Sequence, residues 1–417
     1  MRISGGEDQM LRIRVKSTAS EGLMILTFYL LLFQNALEQF VSVFSYTDEI
    51  FALFGMTVIL YQSLLRGKLV IKKTTGKIMI CFSLFLVAGI LGNILYRYQP
   101  IQAVLIYLYT NMKFYLSIIS GYVFFSVFNS EKDHNLLAMH ARCSAVILFM
   151  LLLADQIFGL FPNPEYRYGL PVARLFYFHP TYLAASQIFL LSILTAFYRK
   201  KNNLPIAMCL YVLAFTLRGK AIAGAAVYCF LVYFLIYYRK KLRFWHFVLI
   251  GLVAFAVAGE QLLYYYFELE GRSARSALTQ TSIKILADYF PIGTGFGTFA
   301  SASAAEYYTP VYAKYHIDDV WGLSKSFSAF SSDTFWPIII GQTGAIGTAC
   351  YIVAQILLFR QILKIREISR FAYTTGIFIF AYLLISSTSE PAFNNAIAMP
   401  LAVTLGGIYT LEKQHGA

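Results

Sequence analysis

The chain has 417 residues, of which 58% are hydrophobic and only 13% charged, more apolar surface than a water-soluble chain of this length needs. Its net charge of +13 is not the mark of a nucleic-acid binder, because the positives sit in short clusters between apolar runs, where positive-inside topogenesis explains most of them. The five cysteines, Cys81, Cys143, Cys209, Cys229 and Cys350, are not spaced as metal ligands, and suggest neither a disulfide framework nor a zinc site.

The apolar runs match the length of bilayer-spanning helices and predict an all-α polytopic membrane protein with about twelve spans. The first run, 22–40, has no small-residue cleavage site after it and reads as a span, not a removed signal peptide. The others lie near 49–65, 78–95, 101–126, 144–161, 179–198, 204–217, 221–238, 247–264, 335–359, 371–388 and 395–411. The chain thus divides into spans one to nine (1–264), one large polar loop (265–334) and spans ten to twelve (335–417). With both termini inside, 23 of the 34 Lys and Arg fall on the inner side, 10 on the outer side, and Lys113 within a span. The reverse orientation would reverse that bias.

Spans seven and eight are separated by Arg218-Gly219-Lys220, two positive charges on the outer side. Span seven is short, but merging the two would bury both charges mid-helix, so a tight turn between separate spans is expected. A cation pair misplaced for topology points to an anionic partner, against the plainer alternative of an arginine snorkelling to lipid headgroups.

Two outer loops have substance. The first, 162–178, carries Arg167, Arg174 and several aromatics, and leads into His179-Pro180. The second begins with a helical pattern over 272–288, on which Arg272 and Arg275 share a face at i,i+3 spacing. Next comes Pro291-Ile292-Gly293-Thr294-Gly295-Phe296-Gly297, expected to be a flexible turn that lets backbones approach closely. Its glycine pattern follows no strand, which argues against a dinucleotide site. Beyond it lie His316, Asp318, Asp319 and Trp321, then Ser331-Ser332-Asp333, which reads as the N-cap of span ten or as a reactive carboxylate. His179 and Glu390 stand at other outer span ends. No acidic cluster has metal-ligand spacing, so no metal or other cofactor is expected.

In order and topology, several of these stretches resemble the O-antigen polymerase and O-antigen ligase group of bacterial envelope glycosyltransferases. They are Thr216-Leu217-Arg218-Gly219, the loop start with Arg272, Arg275 and Leu278, the stretch from Asp288 to Phe299, and the exit from Phe330 to Pro337 with Gly341 to Gly347. The resemblance covers about residues 170–350. It implies a glycan donor and acceptor on undecaprenyl pyrophosphate, joined at the periplasmic face of the inner membrane, with both termini cytoplasmic. A chain-length regulator would be a partner on the same ground.

On that resemblance Arg218 and Arg275 would hold the diphosphate, with Lys220, Arg272 and Arg174 adding to the field. Asp333, His179 or His316 would serve the acceptor, and Trp321 with Tyr307, Tyr308 and Tyr312 would stack on sugars. The ligase pattern expects a histidine at the start of the span after the large loop, where this chain has Asp333. A Wzy-type polymerase is therefore the expected activity. A ligase acting on lipid A core and a lipid-linked oligosaccharide flippase are the alternatives, the latter disfavoured because the chain shows no convincing internal repeat.

Overall fold

The computed structural model describes residues 18–66, 73–263 and 273–414. In chain order the helices are α1 (Thr18–Leu37), α2 (Thr47–Arg66), α3 (Lys73–Tyr96), α4 (Ile101–Val127), α5 (Glu131–Phe158), α6 (Pro180–Ala196), α7 (Asn203–Phe215) and α8 (Gly219–Leu231). A π-helical turn extends α8 through Val232–Tyr237, and α9 covers Phe244–Leu263. Then come α10 (Ala274–Asp288), the short α11 (Ala302–Glu306) and α12 (Pro310–Lys314), α13 (Trp336–Lys364), α14 (Arg370–Ser386) and α15 (Met399–Gln414). A small antiparallel hairpin, β1 (Tyr166–Arg167) and β2 (Leu170–Pro171), precedes α6.

Each of the twelve apolar segments expected from hydropathy falls on a helix. Among the described residues, five helices (75–96, 101–127, 131–158, 219–237 and 336–367) are long and apolar enough to cross a membrane. The largest boundary difference is α5, which starts at Glu131 and not near 144. Its charged first turn depresses the hydropathy, yet Ser130 and Asp133 form a reciprocal capping box there, a strong helix start. Between α7 and α8 the chain does turn, but glycine does not make the turn. Leu217 takes the left-handed conformation (φ 49°), while Gly219 is the first residue of α8.

Small residues let the helices approach. A Cβ on Gly121 would lie 2.7 Å from Val403 backbone atoms and one on Gly406 2.5 Å from the Tyr122 amide, so α4 and α15 pack almost backbone to backbone. Lys113, the charge inside a span, is neutralised by Asp48 at 2.5 Å and Glu49 at 2.8 Å from the first turn of α2. Gln34 donates to the same Asp48 at 2.8 Å, so this charge fastens α1, α2 and α4 together. At the junction of α6, α8 and α14, a Cβ on Gly224 would sit 3.0 Å from the Tyr382 ring and 3.5 Å from Ile188.

The segment 291–297, expected to be flexible, is instead a buried wedge. Helix α13 breaks at Gly344 (φ 59°, ψ −158°), and the wedge fills the break. Thr294 and Gly295 donate their amides to the carbonyls of Gly341 and Gln342 at 3.0 and 2.9 Å, and Ile346 donates to Pro291 O at 3.1 Å. Asn93 of α3 clamps Phe296 with two bonds of 2.7 and 2.9 Å. A Cβ on Gly293 would lie 2.5 Å from the Gly344 amide. Close backbone approach was the correct expectation; mobility was not, because buried backbone groups must find partners. The wedge sets where the polar segment 273–335 returns to α13, and with it the relative positions of α10 and the residues just before α13.

Candidate functional site

The residues singled out by charge meet at the end of the bundle where α6, α8 and α13 begin and α14 ends. Arg218 is the N-cap residue of α8 and Lys220 lies in its first turn. Arg275 lies in the first turn of α10, whose N-cap Ser273 accepts the Ser276 amide at 3.1 Å. Neither first turn carries an acid. A helix N-terminus already bears partial positive charge and favours anions, so both helices place cations where they are least welcome unless an anion joins them.

Three carboxylates compensate these cations. Glu165, just before β1, accepts from Arg218 Nη2 at 2.6 Å through Oε2 and from Arg167 Nε at 2.9 Å through Oε1. Glu390, in the turn after α14, pairs with Lys220 through Oε2, and its Oε1 is buried with no hydrogen-bond partner. Asp333 accepts from Arg275 Nη2 at 3.3 Å, and the same nitrogen reaches Ser389 O at 3.4 Å. His179 Nε2 stands 3.2 Å from Arg218 Nη2. Side-chain exposures of 13% for Arg218, 13% for Lys220, 24% for Arg275 and 32% for Asp333 leave the group sheltered yet reachable.

The cluster is electrostatically one unit. Burial pushes the Asp333 carboxyl above its ordinary range, opposed by Arg275 and Lys220 and reinforced by Glu390. The charges of Arg167, Arg218, Lys220 and Arg275 outnumber those of Glu165, Asp333 and Glu390 by one. Four donors and two helix N-termini in one sheltered cluster suit an anion with several negative oxygens. Among the described residues no group of three or more His, Cys, Asp or Glu gathers as metal ligands.

Thus Arg218, Lys220, Arg275, Asp333 and His179 come together. Asp333 does not serve as the helix cap; Phe335 holds that position in α13 and makes no side-chain cap. Arg174 is turned to its own loop, donating to Pro162 O at 3.1 Å and Phe178 O at 3.4 Å. His316 is exposed after α12 with a left-handed backbone (φ 53°), and no contact joins it to the cluster among the described residues. Arg272 lies outside the described residues.

Of the aromatics, Tyr312 is fully buried and Tyr308 donates to Leu323 O at 2.8 Å, so they hold the loop together. Trp321 is 70% exposed and rests on Phe330 and Phe327 at 4.9 and 5.2 Å. Phe330 O accepts the Asp333 amide at 3.3 Å, which puts this aromatic surface next to the cluster along the chain. Sequence reasoning missed Glu165, which stands among aromatics and arginines in a loop with no periodic pattern. Neither a family model nor a curated protein matches the chain.

Proposed function

We propose that this protein is a polysaccharide polymerase of the bacterial envelope, related to the O-antigen polymerase and ligase group. It transfers a growing glycan from undecaprenyl pyrophosphate onto a lipid-linked repeat unit at the periplasmic face of the inner membrane, with twelve spans and both termini cytoplasmic. The observation that carries this reading is the convergence of Arg218, Lys220 and Arg275 from two helix N-termini, each held by one carboxylate.

In this reading the diphosphate of the donor takes over from those carboxylates. As the glycosidic C–O bond breaks, its electron pair passes to the diphosphate oxygen, and fixed guanidinium groups stabilise the added charge. The acceptor hydroxyl oxygen forms the new bond to the sugar and its proton passes to Asp333, whose raised pKa makes it a stronger base than an ordinary aspartate. The exposed Trp321–Phe330 surface offers sugar faces a stacking platform leading to that carboxylate.

Purified protein incubated with lipid-linked repeat units and no lipid A tests the reading. Products of several repeats are expected. Transfer only when lipid A core is supplied would make the protein a ligase, and passage of the lipid-linked glycan across vesicles at unchanged chain length would make it a transporter.

A further inference from the structure

His179 precedes α6 and caps it, with Nδ1 accepting the Thr181 amide at 3.2 Å. The Thr181 N–H belongs to the first turn of a helix and has no intrahelical carbonyl to donate to, and the positive end of the helix favours a bare nitrogen lone pair beside it. In a neutral imidazole with Nδ1 bare, the single proton resides on Nε2. Yet Nε2 faces Arg218 Nη2 at 3.2 Å, and a guanidinium nitrogen has only protons to offer. Two donors therefore stand in contact with each other. Such a pair is completed by an oxygen to one side of the two nitrogens, outside the gap between them, that accepts from both.

We infer that His179 Nε2–H and the Arg218 guanidinium converge on one oxygen of a diphosphate, with His179 as a neutral hydrogen-bond donor to the leaving group and not as the base. The identity of the anion rests on the function proposed above; the tautomer and the convergence rest on geometry alone. Charge and burial agree with the assignment. Burial, and then the neighbouring charges of Arg218, Lys220 and Arg167 against the opposing Glu165, hold the His179 pKa down at about 4, so the ring is neutral near neutral pH. A neutral imidazole at a helix N-terminus donates to developing negative charge without giving up its proton. It also stays out of the proton transfer, which leaves that task to Asp333. The residue as a whole is exposed at the rim of the cluster while its ring is partly desolvated against it, so an incoming anion still reaches it.

The test uses the full chain in lipid nanodiscs with 15N-labelled histidine, His179→Asn to assign the resonance, and inorganic pyrophosphate as the probe. Asparagine retains an N-cap oxygen but its shorter amide does not reach Arg218, so loss of folding does not confuse the comparison. His179 is expected as the Nε2–H tautomer throughout pH 5.5 to 8, with a shift of that N–H resonance on adding pyrophosphate. His179→Asn should bind pyrophosphate about 10-fold more weakly, as expected for one lost charge-assisted bond. An Nδ1–H tautomer, a titration near the ordinary histidine value, or unchanged pyrophosphate affinity in His179→Asn would each overturn the inference. A protein that makes no polymer yet shows the Nε2–H tautomer and the pyrophosphate shift would sink the polymerase reading and leave this one standing.

Discussion

Removing Glu390 separates an anion site from an ordinary structural ion pair. Lys220 and Glu390 are only 13% and 11% exposed, and Lys220 stands in the first turn of α8, where the helix field opposes a cation. Glu390→Ala leaves that ammonium without its carboxylate in a sheltered site. Breaking a buried pair from one side costs about 3–5 kcal/mol, and the residual exposure places this case near about 3 kcal/mol. The double variant Lys220→Met/Glu390→Gln removes both charges and should recover most of the loss, since apolar replacement of a buried pair is often neutral. If the cluster is built for a diphosphate, pyrophosphate should take the place of the removed carboxylate. At 100 times its dissociation constant it should return about 2.7 kcal/mol, and its affinity for Glu390→Ala should exceed that for wild type because no carboxylate competes. Thermal unfolding in nanodiscs with and without pyrophosphate measures both effects. A Glu390→Ala protein that unfolds with wild type, or one that pyrophosphate does not stabilise, would refute the reasoning.

Other consequences are testable in the same preparations. Gly293→Ala forces a Cβ to 2.5 Å from the Gly344 amide at φ 83°; the left-handed strain costs about 1–2 kcal/mol and a lost buried bond about 1–3 kcal/mol more. Hydrogen exchange of the amides around the α13 break should accelerate accordingly, and unchanged protection there would contradict the wedge. Asp333→Asn should lower polymerisation about 100- to 10,000-fold while leaving pyrophosphate affinity near wild type or higher. Because burial raises the Asp333 pKa and Arg275 opposes that rise, activity should fail on acidification above the ordinary aspartate range. Arg275→Ala should move this acid limb to higher pH in whatever activity remains; a shift to lower pH would remove Asp333 from the role of base.

The helices were legible because a bilayer-length apolar run is a long, redundant signal: all twelve segments recur as helices, and Lys113 was visible as a charge within a span, though not its pairing with Asp48 and Glu49. Arg218, Lys220, Arg275 and Asp333 were legible as charges that the fold's own hydropathy does not require. What stayed hidden depends on contacts between residues far apart in the chain. Nothing local in Glu165 or Glu390 announces that one holds Arg218 and the other Lys220. The Gly344 break was hidden for a related reason. Its carbonyl partners are satisfied by Thr294 and Gly295 from another segment, so the α13 sequence reads as one continuous apolar run. Tyr308 and Tyr312 looked like sugar-stacking rings because composition cannot distinguish a free ring from one buried in its own loop, as Tyr312 is, or bonded within it, as Tyr308 is.

The central claim is that Arg218 and Arg275 hold the diphosphate of a lipid-linked glycan donor. Polymerisation of purified lipid-linked repeats by Arg218→Ala, beside Arg218→Lys and wild type at matched folded amounts, tests it most directly. The prediction is a loss of at least about 100-fold for alanine, as for removal of one preorganised charge-stabilising donor, with only partial recovery by lysine, which lacks the planar fork. Chains as long and as rapidly formed by Arg218→Ala as by wild type would contradict it.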